Sequence, residues 1–235
     1  MKKIVLFLIG LLIIGLAILT PFYFDAILYF TVSKIGFGWV VTTVLIRLLV
    51  IIFITFGIKF CLDAFKPKIL KNWLLIIVGC AVGFSVGFAV LPIYDVDYFM
   101  QNDNLELKPL NELSDATNNT YNHGKSYEVL AFLDVGCSHC MLAAQRLGIN
   151  FRAGQNVPIH LFFSGSEADV INFREKNNVS ELTYHLLPNE ISFIYFAGFE
   201  FPSIFLVNPE GEVAYHWLAE KLNYNALDYL LSLEQ

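Results

Sequence analysis

Three long apolar runs near the N-terminus leave this chain few ways to fold in water alone. They span Ile4–Phe24, Trp39–Phe60 and Trp73–Leu91. The hydrocarbon core of a bilayer is about 30 Å thick, so a helix needs roughly 20 mostly apolar residues to cross it. Each run meets that requirement and is too long and too apolar for an ordinary core helix. The sequence therefore predicts an α-helical membrane anchor of three transmembrane helices.

Composition separates this apolar part from the rest of the chain. Hydrophobic residues make up 56% of the 235 residues and charged residues only 15%, and the mean hydropathy is +0.59, values that a soluble domain rarely shows. From Asp95 onward, charges, Asn, Gly and Pro are mixed as in a soluble domain. We therefore divide the chain into a transmembrane region (1–94), a linker and domain extension (95–127) and a soluble domain (128–235).

The loop charges predict on which side of the membrane each end of the chain lies. Short cytoplasmic loops are enriched in Lys and Arg. The N-terminus and the loop after the second run carry a group of lysines: Lys2, Lys3, Lys59, Lys66, Lys68 and Lys71. The first loop has only Lys34, offset by Asp25. We therefore expect a multi-pass protein of the cytoplasmic membrane whose C-terminal domain faces away from the cytoplasm. No small-x-small cleavage site follows the first run, which favours a retained anchor over a signal peptide.

Two features inside the runs concern helix packing. Arg47 lies about 12 Å into the second run at 1.5 Å per residue, where a charge is costly and should face protein or water. It either packs within a small bundle or contacts a quinone, a lipid or a partner. Gly79, Gly83 and Gly87 repeat along one face of the third run, which predicts close contact between helices.

The soluble domain begins with strands and helices around a cysteine pair. Val129–Leu133 is a continuous apolar run, typical of a strand buried on both faces, and it leads into Gly136-Cys137-Ser138-His139-Cys140. The next segments are predicted to be a helix, a strand and a helix: Met141–Arg152, Ile159–Phe163 and Glu167–Lys176. A short strand is also predicted before the domain, at Leu105–Leu107. A CxxC motif beside a β-α-β pattern indicates redox chemistry.

The remaining segments complete an α/β domain. The prediction is a helix, a strand, a turn, a second strand and an amphipathic terminal helix: Ile191–Ala197, Ser203–Val207, Asn208–Gly211, Glu212–Trp217 and Asn223–Leu233. The Asn-Pro-Glu-Gly sequence favours a tight turn between the two strands, which would then form a hairpin. Phe201-Pro202 stands immediately before the first of them.

Over Glu128–Leu233 the sequence resembles the thioredoxin family through three ordered features. These are the CSHC motif after the first strand, the Phe201-Pro202 pair before the last hairpin, and the turn within that hairpin. The resemblance implies a thioredoxin-like α/β fold in which Pro202 is cis and packs against the cysteines. It also implies that the backbone of Phe201 offers hydrogen bonds to an extended substrate. Membrane-anchored proteins of this kind occur in bacteria.

The cysteine pair suits thiol–disulfide exchange. A free cysteine with a pKa near 8.5 is mostly protonated at neutral pH, but unpaired N–H groups and the positive end of a helix dipole favour the anion. We therefore expect Cys137 to begin a helix and to act as the nucleophile. His139 adds a cationic or hydrogen-bonding neighbour. Cys140, one helical turn further on, would resolve the mixed disulfide.

The sequence departs from the family pattern at three positions. Ala131 stands where thioredoxin has a buried acid, Gly136 replaces the usual Trp, and Ser138 replaces the common Pro. Asp134 is close in sequence to the cysteines but is expected to cap a turn rather than to replace the acid. These departures leave the fold prediction unchanged but weaken the expectation that the domain reduces its substrates as efficiently as thioredoxin does.

Other functions remain open from the sequence. The domain could bind or carry a metal through the CxxC cysteines and a histidine, although zinc sites normally need further ligands. The remaining histidines are isolated in sequence and are expected to be surface or structural residues: His123, His160, His185 and His216. Alternatively, the domain could be a non-catalytic module that holds a partner. Cys61 and Cys80 could relay electrons toward Cys137, but lone membrane cysteines are usually just small apolar residues.

The sequence therefore predicts a membrane-tethered enzyme that exchanges disulfides with exported proteins and with a redox partner. Its catalytic residues would be Cys137 and Cys140, supported by Ser138, His139, Phe201 and Pro202. We expect no cofactor and no metal. The net charge of −6 and the lack of a clustered basic surface argue against a nucleic-acid partner.

Overall fold

The computed structural model of the chain describes residues 2–65, 72–90, 107–117, 120–218 and 221–233. The chain divides into two compact units, one made of residues 1–31 and 37–94 and a second made of residues 32–36 and 95–235. The first unit is mainly helical and the second is an α/β domain.

The first unit consists of long helices with a single short break in the first 65 residues. The helical elements of residues 2–90 are α1 (Lys2–Leu19), a 3-10 segment (Thr20–Tyr23), α2 (Phe24–Phe30), a π segment (Thr31–Ile35), α3 (Trp39–Phe65) and α4 (Asn72–Val90). Pro21 lies within the 3-10 segment, where the missing N–H of proline is tolerated best. The helical backbone therefore continues without interruption from α1 to Ile35.

Two helical stretches, Lys3–Ile35 and Trp39–Ala64, are long and apolar enough to cross a membrane by length and composition. Helix α4 (Asn72–Val90) is apolar after Asn72, and the described residues within it include a shorter apolar helix, Ile76–Val86. Two of the three predicted spans are thus supported as candidate spans by length and composition. Leu91, at the end of the predicted third span, lies outside the described residues, and the third crossing stays a prediction.

Glycines allow the helices of this unit to approach closely. A Cβ atom at Gly10 of α1 would lie 2.6 Å from the Sγ of Cys61 on α3, and one at Gly83 of α4 would lie 2.8 Å from the Oγ1 of Thr55. Thr55 also donates a hydrogen bond of 3.3 Å to the carbonyl oxygen of Gly79. The packing predicted for Gly79 and Gly83 is therefore confirmed, and Gly10 makes a similar contact that the sequence analysis did not single out.

The second unit contains one five-stranded sheet. Its strands are β1 (Glu128–Phe132), β2 (Ile159–Phe163), β3 (Thr183–Leu186), β4 (Ser203–Val207) and β5 (Val213–Leu218). The strand order is β3-β2-β1-β4-β5. The first three strands are parallel to one another, whereas β4 runs antiparallel to both β1 and β5. All five residues of β1 and of β4 are buried, as expected for central strands covered on both faces.

The described residues of this unit also contain the helices that accompany the sheet. They are α5 (Leu110–Ala116), α6 (Ser138–Arg152), α7 (Glu167–Lys176), α8 (Glu190–Ala197) and α9 (Tyr224–Ser232). Side chains of Ser166, Asn189 and Asn223 accept hydrogen bonds from backbone N–H groups in the first turns of α7, α8 and α9. These caps satisfy donors that would otherwise lack partners, which explains where the three helices begin. The sheet and its helices confirm the predicted thioredoxin-like α/β domain.

The helix that follows the cysteine motif is fastened to the end of the chain. Arg146 of α6 donates a hydrogen bond of 2.9 Å to the carbonyl oxygen of Leu222. Asn150, which is fully buried, donates another of 2.9 Å to the carbonyl oxygen of Leu227 in α9. The C-terminal helix is therefore an integral part of the domain.

The structure adds two elements that the sequence analysis missed. One is the edge strand β3, and the other is α5, which lies in the segment interpreted as linker and extension. The Leu113 side chain of α5 and the nearby Tyr121 are fully buried in an aromatic core with Phe132 and Phe162. At least the segment from Leu107 therefore belongs to the domain. The strand predicted at Leu105–Leu107 lies mostly outside the described residues, and Leu107 itself is not in a strand.

Candidate active site

Cys137 occupies the N-cap of α6 with an extended backbone conformation, φ −87° and ψ 122°. Its Sγ accepts a hydrogen bond of 3.3 Å from the backbone N–H of Cys140. Helix α6 starts at Ser138, directly after Cys137, as expected for a cysteine that begins a helix, and the motif itself forms the first turn ahead of the segment predicted from Met141. A backbone donor that points at sulfur, together with the helix dipole, favours negative charge on that atom.

Cys140 lies one turn further on and is completely buried, whereas Cys137 is partly exposed. The backbone N–H of Asp134 donates a hydrogen bond of 3.4 Å to the Sγ of Cys140. Burial raises the pKa of the Cys140 thiol well above its usual range, and its hydrogen bond with Cys137 acts in the same direction. The two sulfurs therefore differ sharply: one is accessible, and the other is a shielded thiol.

The loop before β4 lies against the first cysteine. The Phe201-Pro202 peptide bond is cis, as the resemblance implied, and Pro202 is buried. The Sγ of Cys137 donates a long hydrogen bond of 3.9 Å to the carbonyl oxygen of Phe201. Antiparallel pairing explains this proximity, because Phe132 at the end of β1 is paired with Ser203. The chain therefore leaves β1 toward the cysteines at the same end of the sheet at which the loop with Phe201 and Pro202 leads into β4.

The short loop between β1 and α6 is held by Asp134. Its Oδ1 accepts a hydrogen bond of 2.8 Å from the Gly136 N–H, and its carbonyl oxygen accepts one of 3.3 Å from the Cys137 N–H. The predicted role of this residue as a turn cap is confirmed. Ala131, where the resemblance led us to expect an acid, is fully buried in β1.

Ser138 and His139 lie on the first turn of α6 and are exposed. Sequence adjacency brings them to the same end of the helix as Cys137. Their supporting roles remain predictions. The six predicted site residues are thus found at one end of the sheet, around the start of α6 and the loop before β4.

A groove beside the cysteines escaped the sequence analysis. It encloses about 420 Å³ and is lined mainly by loop residues and by α8, including Asp134, Ser164, Asn189, Glu190, Phe193 and Phe201. Ser164 follows β2, just as Asp134 follows β1, and the carboxyl ends of parallel strands lie at the same edge of a sheet. That rule could have indicated a groove at this edge.

The histidines that seemed isolated in sequence are brought together at the other end of β1. His160 Nδ1 lies 3.0 Å from His185 Nε2, and His123 Nδ1 lies 3.1 Å from the carboxylate of Glu128. Glu128 is buried and accepts a hydrogen bond of 3.0 Å from the Tyr121 hydroxyl. The sheet explains the meeting, because Leu130, two residues after Glu128, is paired with His160, and Phe162 with His185. These histidines are thus structural residues, as expected, although their separation in sequence gave no sign that they meet.

Burial controls the charge of this cluster. It lowers the pKa of His185 to about 4, and the neighbouring His160 acts in the same direction. It also lowers the pKa of His160. Within the described part of the chain, no three His, Cys, Asp or Glu residues are arranged to hold a metal ion. His216 is buried elsewhere and bonds to Ser203 over 2.9 Å.

The cysteines of the first unit lie apart from this site in the chain and are free thiols. The Sγ of Cys61 is 3.9 Å from the carbonyl oxygen of Phe7, so it packs against α1. Arg47 is half-buried, and its guanidinium carbon lies 5.9 Å from the centre of the Phe24 ring. This contact agrees with the interpretation that Arg47 packs within the helical unit. A contact of Arg47 with a quinone, a lipid or a partner stays a prediction.

Comparison with known proteins gives structural likenesses only. No family model matches the chain, and no curated protein matches it. Several solved structures are similar to about half of it. The thioredoxin domain of a thiol–disulfide oxidoreductase from Bacteroides vulgatus is 22% identical, with a TM-score of 0.40, over 46% of this chain and 81% of that one.

Two further structures are similar to the same extent. A secreted disulfide oxidoreductase from Mycobacterium tuberculosis, homologous to E. coli DsbE, is 14% identical over 47% of this chain and 83% of that one, with a TM-score of 0.39. StoA from Bacillus subtilis is 15% identical over 45% of this chain and 82% of that one, with a TM-score of 0.39. At these identities the likeness concerns the fold.

Proposed function

We propose that this chain, whose C-terminal half has a thioredoxin-like fold, is a membrane-tethered thiol–disulfide oxidoreductase. The geometry of the cysteine pair is the observation that carries the proposal. Cys137 caps α6, receives the Cys140 N–H at 3.3 Å and lies beside the carbonyl oxygen of Phe201. The Cys140 side chain, one helical turn further on, is a buried thiol.

The first step of the exchange would use the exposed sulfur. The Cys137 thiolate attacks one sulfur of a partner disulfide, a new S–S bond forms, and the second partner sulfur leaves as a thiolate. The N–H of Cys140 stabilises the attacking anion. The Phe201 carbonyl, at the edge of the loop, can accept a hydrogen bond from the partner's backbone once Cys137 no longer donates to it.

The second step would use the buried sulfur. Cys140 gives its proton to the departing partner thiolate or to water and attacks the Cys137 sulfur, which releases the partner as a dithiol. Two electrons pass from the cysteine pair to the partner, whose two sulfurs take up the proton of Cys140 and one proton from water, and the pair becomes a disulfide. Run in reverse, the same steps oxidise a partner dithiol. The direction follows from the reduction potentials of the two pairs.

The helical unit supports the tethering part of the proposal. Its two candidate spans are apolar enough for a bilayer, and the lysines at the N-terminus and after α3 favour the cytoplasm. With α4 as a third crossing, the C-terminal domain would lie outside the cytoplasmic membrane and exchange disulfides with exported proteins. A separate redox partner would restore the pair after each cycle.

A redox titration of the full chain in detergent tests the proposal. In a Cys61→Ala, Cys80→Ala background, the remaining pair should show one two-electron transition. A midpoint potential of about −270 mV would indicate a reductant, and one of about −120 mV would indicate an oxidant. Cys137→Ser and Cys140→Ser should each abolish the transition. If the pair shows no transition, or if it persists in either variant, the domain is not this enzyme, and the non-catalytic alternative is favoured.

A further inference from the structure

The groove beside the cysteines has an unbalanced charge. Carboxylates of Asp134 and Glu190 line it, and none of its lining residues is Lys, Arg or His. In the described part of the chain neither carboxylate takes part in an ion pair. Asp134 uses one oxygen to accept the Gly136 N–H, which leaves its other oxygen available. The groove therefore offers two acceptors to a cation.

Aromatic side chains form the apolar part of the same groove. The rings of Phe193 and Phe201 lie with their centroids 5.1 Å apart, and Phe193 is buried. The aliphatic stem of a lysine or arginine packs well on such surfaces while its charged end reaches a carboxylate, and a guanidinium also binds to ring faces. The lining thus matches a long cationic side chain better than an acidic or a short polar one.

Two strongly exposed apolar side chains are close in sequence to residues that line the groove. Ile191 follows Glu190 directly, and Phe199 stands two residues before Phe201; their side chains are 82% and 86% exposed. Large apolar side chains so exposed are typical of a surface that binds another protein. A flexible partner segment with apolar and basic residues could cover them, whereas an acidic segment would be repelled by the groove.

The groove is also next to the reactive sulfur. Phe201 lines it with its side chain, and its carbonyl oxygen lies 3.9 Å from the Sγ of Cys137. We propose that the groove binds a lysine or arginine side chain close to the reacting cysteine of a partner polypeptide. The enzyme then prefers exported partners whose cysteines have basic neighbours. This inference rests on the proposed function and adds to it a class of substrate.

A peptide exchange assay with the full chain in detergent tests the inference. The probes are short peptides in which one cysteine forms a disulfide with thionitrobenzoate and its neighbour is Arg, Gln or Glu. Attack of Cys137 on the peptide sulfur releases coloured thionitrobenzoate, whose absorbance gives the rate. We expect the Arg peptide to react roughly threefold to tenfold faster than the Glu peptide. The difference should disappear in about 1 M salt, where the Debye length is about 3 Å.

Variants locate the preference. The readout is the ratio of the Arg and Glu rates, in which a change in the reactivity of Cys137 itself cancels. Glu190→Gln and Asp134→Asn should each lower the ratio, and Glu190→Lys should invert it. Glu175→Gln is the matched control, because Glu175 is an exposed carboxylate on α7 that does not line the groove, and it should leave the ratio unchanged.

Two results would overturn the inference, and they have different meanings. If all peptides react at the same rate, or if Glu190→Lys leaves the preference as it was, the groove does not select charge, although the enzyme still exchanges disulfides. If no peptide reacts with the reduced protein, the proposed function fails together with the inference.

Discussion

The backbone N–H of Cys140 donates to the Sγ of Cys137 over 3.3 Å, while the Cys140 sulfur lies buried behind it. One residue thus supplies both a donor for the first sulfur and the second sulfur of the pair. Cys137 is partly exposed and Cys140 is buried, so the two thiols should react with added reagents at different rates.

Alkylation should distinguish the two thiols. In the Cys61→Ala, Cys80→Ala background near neutral pH, iodoacetamide should modify Cys137 and leave Cys140 intact. The reason is that Cys140 is shielded and burial raises its pKa, whereas Cys137 is partly exposed. Mass spectrometry of tryptic peptides gives the extent of labelling at each site. The Cys137→Ser variant should lose nearly all labelling in the folded state and regain it in denaturant; rapid modification of Cys140 in the folded protein would contradict the proposed roles.

Acid should destabilise the C-terminal domain through the buried histidines. The pKa of His185 is lowered to about 4 from an ordinary value near 6.5. The folded state therefore favours neutral His185. The resulting contribution to the free energy of unfolding is fully present above about pH 6.5 and is lost as the pH falls toward 4. At about pH 5 the loss should be about 2 kcal/mol. Thermal unfolding measured across this range should show the decrease.

A histidine substitution separates this effect from the titration of carboxylates. His185→Gln should lower stability near neutral pH, because the contacts of His185 with Thr120 and His160 are lost. It should also make the dependence on pH shallower between about pH 6.5 and 4. His139→Gln, at an exposed position, is the control. Equal slopes for His185→Gln and the unmodified protein would show that this cluster does not set the acid sensitivity.

Two glycines of α1 should respond oppositely to alanine. At Gly10, an added Cβ would lie 2.7 Å from the carbonyl oxygen of Gly57, a backbone atom of α3. Gly10→Ala should therefore separate the helices and cost roughly 1–3 kcal/mol. At Gly15 the added atom meets nothing within 4 Å, so Gly15→Ala should be neutral or stabilising, since alanine is the better helix former. Thermal unfolding in detergent compares the two, and equal effects would argue against the α1–α3 contact.

Labelling in intact bacterial cells should reveal the side on which the domain lies. In a variant that keeps Cys137 as its sole cysteine, a membrane-impermeant maleimide should react without disruption of the cytoplasmic membrane. The expectation follows from the basic residues at the N-terminus and after α3, which favour the cytoplasm, together with a third crossing by α4. A cytosolic thiol protein serves as the control for membrane integrity. Labelling that requires lysis would place the domain in the cytoplasm and reverse the predicted orientation.

Local sequence patterns predicted most of the soluble fold. The strands Ile159–Phe163 and Ser203–Val207 and the helix Glu167–Lys176 have the predicted bounds, because each is a short, uniform segment with clear ends. The strand β3 was missed since Thr183–Leu186 is an edge strand with partly exposed residues, and its partner β2 alone determines its structure. The helix α5 was missed because only its burial against the aromatic core distinguishes Leu113 from a linker residue.

The candidate site was predictable to the extent that it is local. A cysteine pair at the start of a helix can be inferred from adjacent residues, and the proximity of Pro202 came from the resemblance. The groove and the histidine cluster combine residues that are distant in sequence. The groove needs the loops after β1 and β2 and the start of α8. The cluster needs the register that places Phe162 beside His185.

The hydrogen bonds of α6 to Leu222 and Leu227 join the helix that carries the cysteine pair to a segment 76 and 77 residues further along the chain. During synthesis these two bonds cannot form before that segment has left the ribosome. The helix that begins beside Cys137 therefore completes its set of contacts only after nearly all of Glu128–Leu233 has been made.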